Sequence, residues 1–351
     1  MLTSHPSRVA ALPDGSHLRQ RLRLAAILLA ALMGAVAVLP GLEEVRRRFA
    51  EAEAGWLGLS LLLQIGSCLA FVAVFRGVFC RRLDWRSSYR LGITVQGTNV
   101  LLPAGGASGL ALGAWALHRM GMPGDRLAAR SVAFFIITSA VNFLTAVLVG
   151  AALALGLLAG GSSLAMTAGP ALLATGTMLL VVSLPHVLRP AHARESRADR
   201  ALRAVQRALG DGIREAGSLL GSGNALIVAG ALGYMCFDVA ALAAAFVALG
   251  SLPPIGVLLI AYVLGQLGGL LPLPGGVGGA DGGLIAALAV YGIPLAEAAA
   301  AVLAYRAFQL GLPALLGTMA VTRMPDVLAI PLDPDESGRD TRPARAPVAA
   351  G

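Results

Sequence analysis

Three charged side chains sit where an apolar chain has no ordinary use for them. Asp238, Asp281 and Arg306 each lie within or beside a long run of Ala, Leu, Val and Gly. An isolated charge near the middle of a bilayer costs about 2.5–3.5 kcal/mol on insertion scales, so such groups pair with one another or line a polar cavity. Asp281 stands at the end of "LLPLPGGVGGADGG" (270–283), where Pro272, Pro274 and six glycines interrupt a helix-forming stretch. A guanidinium such as Arg306 can hold a phosphate or another anionic group, and a carboxylate such as Asp281 can hold the guanidinium while no anion is bound. Tyr305 and Gln309 flank Arg306 and either extend this site or serve as ordinary interhelical hydrogen-bonding groups. Asp238, with no basic residue near it in sequence, is a candidate proton-binding group.

The break itself carries information. Proline removes an amide donor and glycine allows a turn where a Cβ would clash, so a helix stops before Pro274. Unwound backbone at membrane depth is tolerated only against protein or a water-filled cavity. The segment therefore reads as cavity lining, with Pro274, Gly275, Gly276 and Gly278 as its backbone part. Asp281 follows at the start of a half-helix over 282–291, where a carboxylate meets free amides and the positive end of the dipole. A second break, "LLPAGGASG" (101–109), supplies Pro103, Gly105 and Gly106. Asn99, Gln96 and Gln266 flank the two breaks as candidate site groups or as partners for loose backbone. A bare Asp281–Arg306 pair that only locks helices together is the plain alternative, but a lock does not require the proline and glycine beside it.

Other chemistries find no footing. The chain has no lysine, hence no P-loop lysine, and "GGVGGAD" lacks the third glycine of a dinucleotide fingerprint at the required place. Ser108 is not in a nucleophile elbow. Cys68, Cys80 and Cys236 show no CxxC spacing, and the five histidines form no metal-ligating motif, so neither metal nor cofactor is expected. The net charge of +8 comes without an aromatic-interleaved basic patch, which argues against nucleic acid as a partner.

The elements that must position these residues are membrane helices. Of the 351 residues 57% are hydrophobic and 13% charged, with a mean hydropathy of +0.76. That is the range of a polytopic membrane protein. Candidate spans cover 22–40, 55–79, 128–157, 163–187, 224–250 and 297–322, with interrupted segments at 91–120 and 255–292. If each interrupted segment dips in and returns to its own side, every arginine except Arg46, Arg47, Arg48 and Arg306 falls on one face. The positive-inside rule makes that face cytoplasmic, and both termini with it. Counted along helices at about 1.5 Å per residue, Asp281 lies roughly 16 Å and Arg306 roughly 14 Å from the outer surface, near the midplane of a core about 30 Å thick.

The expected fold is an all-α polytopic membrane protein of about six full transmembrane helices plus two re-entrant or broken helices, arranged as an inverted repeat. Gly121 and Pro123 recur as Gly292 and Pro294, both shifted by the same amount along the chain, and the three spans between the two breaks turn the second copy upside down. The positions matching Asp281 and Arg306 in the first copy, Leu110 and Phe135, are uncharged, so the charged site belongs to one copy. The expected organisation is a cytoplasmic tail (1–21), a transmembrane domain (22–322) with a basic amphipathic linker helix on the inner leaflet (193–220), and a disordered tail (323–351).

"PGGVGGADG" followed by "GIPLAEAAAAVLAYRAFQLGLPALLG" resembles the C-terminal part of the transmembrane, flippase-like domain of lysylphosphatidylglycerol synthases, a family with many stand-alone members. "TNVLLPAGGASGLALGAWALHRMGMP" is similar to that family's earlier conserved region. The resemblance spans about residues 20–325. Its pattern is a Pro-Gly-Gly-x-Gly core, an acidic residue shortly after it and an arginine in the next helix. Pro274, Gly275, Gly276, Gly278 and Arg306 match, while the acidic position, usually Glu, falls on Asp281. The soluble aminoacyl-transfer domain of the synthases is absent, so lipid lysylation is not expected. The resemblance implies a non-enzymatic protein of a bacterial-type inner membrane that translocates or handles a phospholipid or lipid-linked head group. Its partners would be membrane lipids bearing phosphate or another anion, and a separately encoded lipid-modifying enzyme. Two other classes stay open: a non-transporting chain that presents lipid to such an enzyme, and an ion-coupled small-solute transporter.

Overall fold

The computed structural model of the chain describes residues 43–81, 83–101, 107–160, 163–187, 197–268 and 279–330. The expected span at 22–40, both glycine–proline tips and the tail after 330 lie outside them, and with the tips go Pro103, Gly105, Gly106, Pro274, Gly275, Gly276 and Gly278. In chain order the helices are α1 (Glu43–Ala50), α2 (Ala54–Phe79), α3 (Trp85–Leu101), α4 (Ala107–Arg119), α5 (Gly124–Ala154), α6 (Leu164–Val187), α7 (Arg197–Gly221), α8 (Ala225–Ala248), α9 (Ile255–Gly268), α10 (Gly279–Val290), α11 (Leu295–Val321) and α12 (Met324–Leu328). No strand occurs among the described residues. Of these helices α2, α5, α8 and α11 are long and apolar enough to cross a membrane, and α6, α9 and α10 contain shorter apolar stretches. The chain is an all-helical polytopic membrane protein.

Both interrupted segments are helical hairpins, α3–α4 and α9–α10. Each ends in the same way. Gly121 and Gly292 take positive φ (107° and 87°). Around them the amides of Met122 and Ile293 reach back to the carbonyls of Leu117 and Leu288, while those of Gly121 and Gly292 reach His118 and Ala289. These are the two crossed bonds of a glycine-terminated helix, and only glycine adopts that φ without strain. Pro123 and Pro294 then precede α5 and α11, where a missing amide costs nothing. The spacing of these motifs is repeated by the helices themselves: α8 starts as far after α2 (Ala225 after Ala54) as α11 starts after α5 (Leu295 after Gly124).

The two hairpins open toward opposite ends of α5. At the N-terminal end of α5, Leu83, Leu91, Leu117, Met120, Met122 and Leu127 share one core. At its C-terminal end, Gly160 lies against Val257, Gly256 against Leu153 and Leu158, and the Tyr291 hydroxyl donates to the Met166 carbonyl. The first end is rich in arginine (Arg76, Arg81, Arg86, Arg90, Arg119, Arg126 and Arg130), whereas Arg46, Arg47 and Arg48 of α1 lie at the other. There Arg48 contacts Glu297 at 3.5 Å and the Leu249 carbonyl at 3.4 Å.

Helices α2 and α8 run antiparallel along their whole length. The Glu53 amide donates to Ala248 O (2.9 Å) at one end, and Gly77 meets Ile227 at the other. Between them Gly230 is so close to the backbone of Ala70 and Val74 that a Cβ would stand 2.6 Å from the Val74 nitrogen. Helix α7, expected on the leaflet surface, packs its C-terminal half on α5: Gly212 abuts Val132, and Arg130 pairs with Glu215 at 3.0 Å. Residues 324–330, expected within a disordered tail, begin with α12, whose Met324 and Val327 are buried against the core of the first hairpin. Asp326 adds an ion pair to Arg90 at 3.6 Å. Two apolar residues three apart give this short helix a face to bury, which its proline and aspartate obscure in the sequence.

Candidate functional site

Helix α11 sets the site. Tyr305 and Gln309 are four residues apart and so share a face, with Arg306 beside them. On the facing helix α8, Asp238 is buried, 1% exposed. Its Oδ2 accepts hydrogen bonds from the Tyr305 hydroxyl (2.6 Å), the Tyr262 hydroxyl of α9 (2.7 Å) and Gln309 Nε2 (2.8 Å). The Ser67 hydroxyl of α2 reaches Oδ1 at 3.4 Å, and Gln64 of the same helix lies near the same carboxylate. Donors from α2, α9 and α11 thus converge on one acceptor of α8, as a buried carboxylate requires if it is to stay solvated by protein.

Gln309 continues the chain outward. Its carbonyl accepts from Arg306 Nη1 while its amide donates to Asp238, the one orientation in which an amide serves a guanidinium and a carboxylate together. Arg306 Nε donates to Asp281 Oδ1 of α10. Helix α10 begins at Gly279, earlier than expected, so Asp281 lies in its first turn and not at its cap. The side chains of Asp281 and Arg306 keep 18% and 14% exposure, whereas Asp238 and Tyr305 are sealed.

The structure therefore brings Asp238, Asp281, Tyr305, Arg306 and Gln309 into one network. Asp238, which looked isolated in sequence, reaches Arg306 through Gln309. Tyr262, Ser67 and Gln64 were not singled out, although a tyrosine, a serine and a glutamine inside apolar runs are the signal that could have found them. Asn99 stands apart. Its Oδ1 accepts the Gly109 amide at 2.7 Å, supplying a partner for the first turn of α4. Gln96 lies near Tyr234, and Gln266 near Tyr262 at the edge of the network.

A groove of about 690 Å³ runs between α2 and α8 on the outer surface of the bundle. Gly66, Leu69, Ala70, Ala73, Gly230, Gly233 and Phe237 make it apolar, and Trp85, Arg86 and Tyr89 stand toward its arginine-rich end. The Arg76 guanidinium lies 4.5 Å over the Trp85 ring. An apolar trough with an aromatic and basic rim matches the cross-section of a bilayer leaflet.

The family model for the lysylphosphatidylglycerol synthase TM region matches residues 23–317. No curated protein matches the chain.

Proposed function

Because the chain belongs to the lysylphosphatidylglycerol synthase TM region family, a family of the lipid membrane, we propose that it moves an anionic lipid, or a lipid-linked head group, from one leaflet to the other. The observation that carries this reading is the Asp281–Arg306 pair, joined through Gln309 to the buried Asp238 and still partly accessible. In the empty state Asp281 holds Arg306; a lipid phosphate takes its place when cargo enters. Guanidinium suits this exchange, since it binds carboxylate and phosphate with the same fork of donors. The opposed hairpins and the common spacing of the two sets of motifs support an inverted repeat, the arrangement that lets one site face either side in turn. The arginine-rich end is then cytoplasmic. The groove between α2 and α8 gives acyl chains a path beside the site. The protein acts by transport and not by catalysis.

The test is a leaflet-resolved assay in proteoliposomes with a head-group-labelled phosphatidylglycerol. The purified chain alone is expected to redistribute the label, and Arg306→Gln is expected to abolish redistribution. A folded, reconstituted chain that leaves the label in its starting leaflet would transfer the assignment to a lipid-presenting partner of a separate enzyme.

A further inference from the structure

The trough between α2 and α8 has a rim, a floor and an end. Its lining on α8 runs from Leu226, toward the arginine-rich end, to Phe237, and on α2 from Ala73 back to Gly66. At about 1.5 Å per residue, Leu226 to Phe237 is about 16 Å along the helix. That is half of a hydrocarbon core about 30 Å thick, the depth of one leaflet. Small residues make the floor: Gly66, Ala70, Ala73, Ala229, Gly230 and Gly233. Phe237 closes the deep end, with its ring over Gly66, where a Cβ would stand 3.1 Å from it.

The rim is polar where the floor is not. Trp85 is 54% exposed there, and the Arg76 guanidinium lies over its ring while donating to the Leu83 carbonyl at 3.0 and 3.2 Å. Arg90 pairs with Asp326 at 3.6 Å, and the Asp84 carboxylate accepts the Ser87 amide at 3.1 Å. These groups are committed. Arg86 is exposed at the rim, and its side chain has no hydrogen-bond or ion-pair partner among the described residues. A cation and an interfacial tryptophan at the mouth of an apolar trough one leaflet deep follow the order of a phosphate, a glycerol backbone and an acyl chain.

We infer that this trough is a docking site for one anionic phospholipid of the cytoplasmic leaflet, with its phosphate on Arg86 and an acyl chain laid over the small residues as far as Phe237. The site deepens the proposed function and rests on it only for the cytoplasmic orientation. It is separate from Arg306. Asp238 and Ser67 meet in the buried network, whereas their chain neighbours Phe237 and Gly66 face the trough, so α2 and α8 stand between the two sites. The other conceivable occupants are a second copy of the chain and residues 22–40, which lie outside the described residues. A helix that crosses the whole core calls for a groove along all of α2 and α8, and this one ends halfway. Residues 22–40 also contain no acidic group to meet Arg86.

The experiment uses phosphatidylglycerol and phosphatidylcholine carrying the same diazirine at the end of one acyl chain, each at trace level in phosphatidylcholine vesicles that hold the full chain. After irradiation, the labelled peptides are mapped by mass spectrometry. Wild type is expected to take label on 66–73 and 226–237, about fivefold more from phosphatidylglycerol, the pull that one arginine exerts on an anionic lipid at a membrane surface. Arg86→Gln should bring that ratio toward one. Ala229→Phe, at an exposed position of the floor, should clear label from the trough with both probes, and Arg306→Gln should leave the ratio unchanged. Equal labelling of wild type by the two probes means ordinary solvating lipid and overturns the assignment. An unlabelled trough overturns it too, and gives the place to residues 22–40 or a second copy. A ratio lost with Arg306→Gln but kept with Arg86→Gln puts the lipid in the central site, which defeats this site and leaves transport standing. Failure of transport reads separately, as a head-group label that stays in its starting leaflet.

Discussion

A guanidinium held by a carboxylate on one side and a glutamine on the other cannot lose either neighbour quietly. Arg306→Ala leaves Asp281 without its counter-ion, and Asp281→Ala leaves Arg306 without its own, each at a depth where breaking a buried pair costs about 3–5 kcal/mol. Removing both relieves that cost. The single variants should therefore lower melting temperature and folded yield more than the double variant does, as thermal unfolding in detergent would reveal. A well-folded double variant that still moves lipid at the wild-type rate would show the pair to be a structural lock. Asp281 and Arg306 were legible in the sequence because a charge in an apolar run is conspicuous. The cluster around Asp238 was not. Tyr262, Tyr305 and Gln309 stand 24, 67 and 71 residues from Asp238, and no periodicity within one helix says which faces of α8, α9 and α11 meet.

At the level of the helices, the hairpins are positioned by contacts that leave no room for side chains. Gly97 of α3 and Gly317 of α11 touch back to back: a Cβ on Gly317 would stand 2.9 Å from the Gly97 Cα and 3.1 Å from the Ile93 carbonyl. Those are backbone atoms and cannot swing aside. Gly317→Val is expected to destabilise by about 1–3 kcal/mol, the usual penalty of overpacking. On the same helix Gly311 has nothing within 4 Å of its would-be Cβ, so Gly311→Ala should be neutral or stabilising by up to about 1 kcal/mol. Equal losses at both positions would mean that α3 and α11 do not meet at Gly317. The hairpin ends were readable in advance, since "GMP" and "GIP" each spell a left-handed glycine followed by a proline that opens the next helix. The glycines of this crossing were not, because in so glycine-rich a chain nothing distinguishes a residue under a neighbouring backbone from one facing lipid.

Across the whole molecule, the arginine bias and the opposed hairpins lead to one topology, which cysteine labelling checks after Cys68, Cys80 and Cys236 are replaced. Ser222→Cys and Arg214→Cys, both exposed near the arginine-rich end, should react only from the inside; Leu252→Cys, 59% exposed at the other end, should react from outside. Reversal of all three would invert the chain in the membrane, and a mixed pattern would dismantle the paired hairpins. The contact between α3 and α11 also has a consequence in time. The hairpin α3–α4 is inserted early, yet the surface that Gly97 needs belongs to Gly317, on one of the last helices to be made. At the usual pace of synthesis, a nascent chain waits roughly 10–45 s between the two with its half-buried helices uncovered. Throughout that interval α3 lacks the neighbour that α11 later supplies, and the apolar surface left exposed is of the kind that chaperones cover.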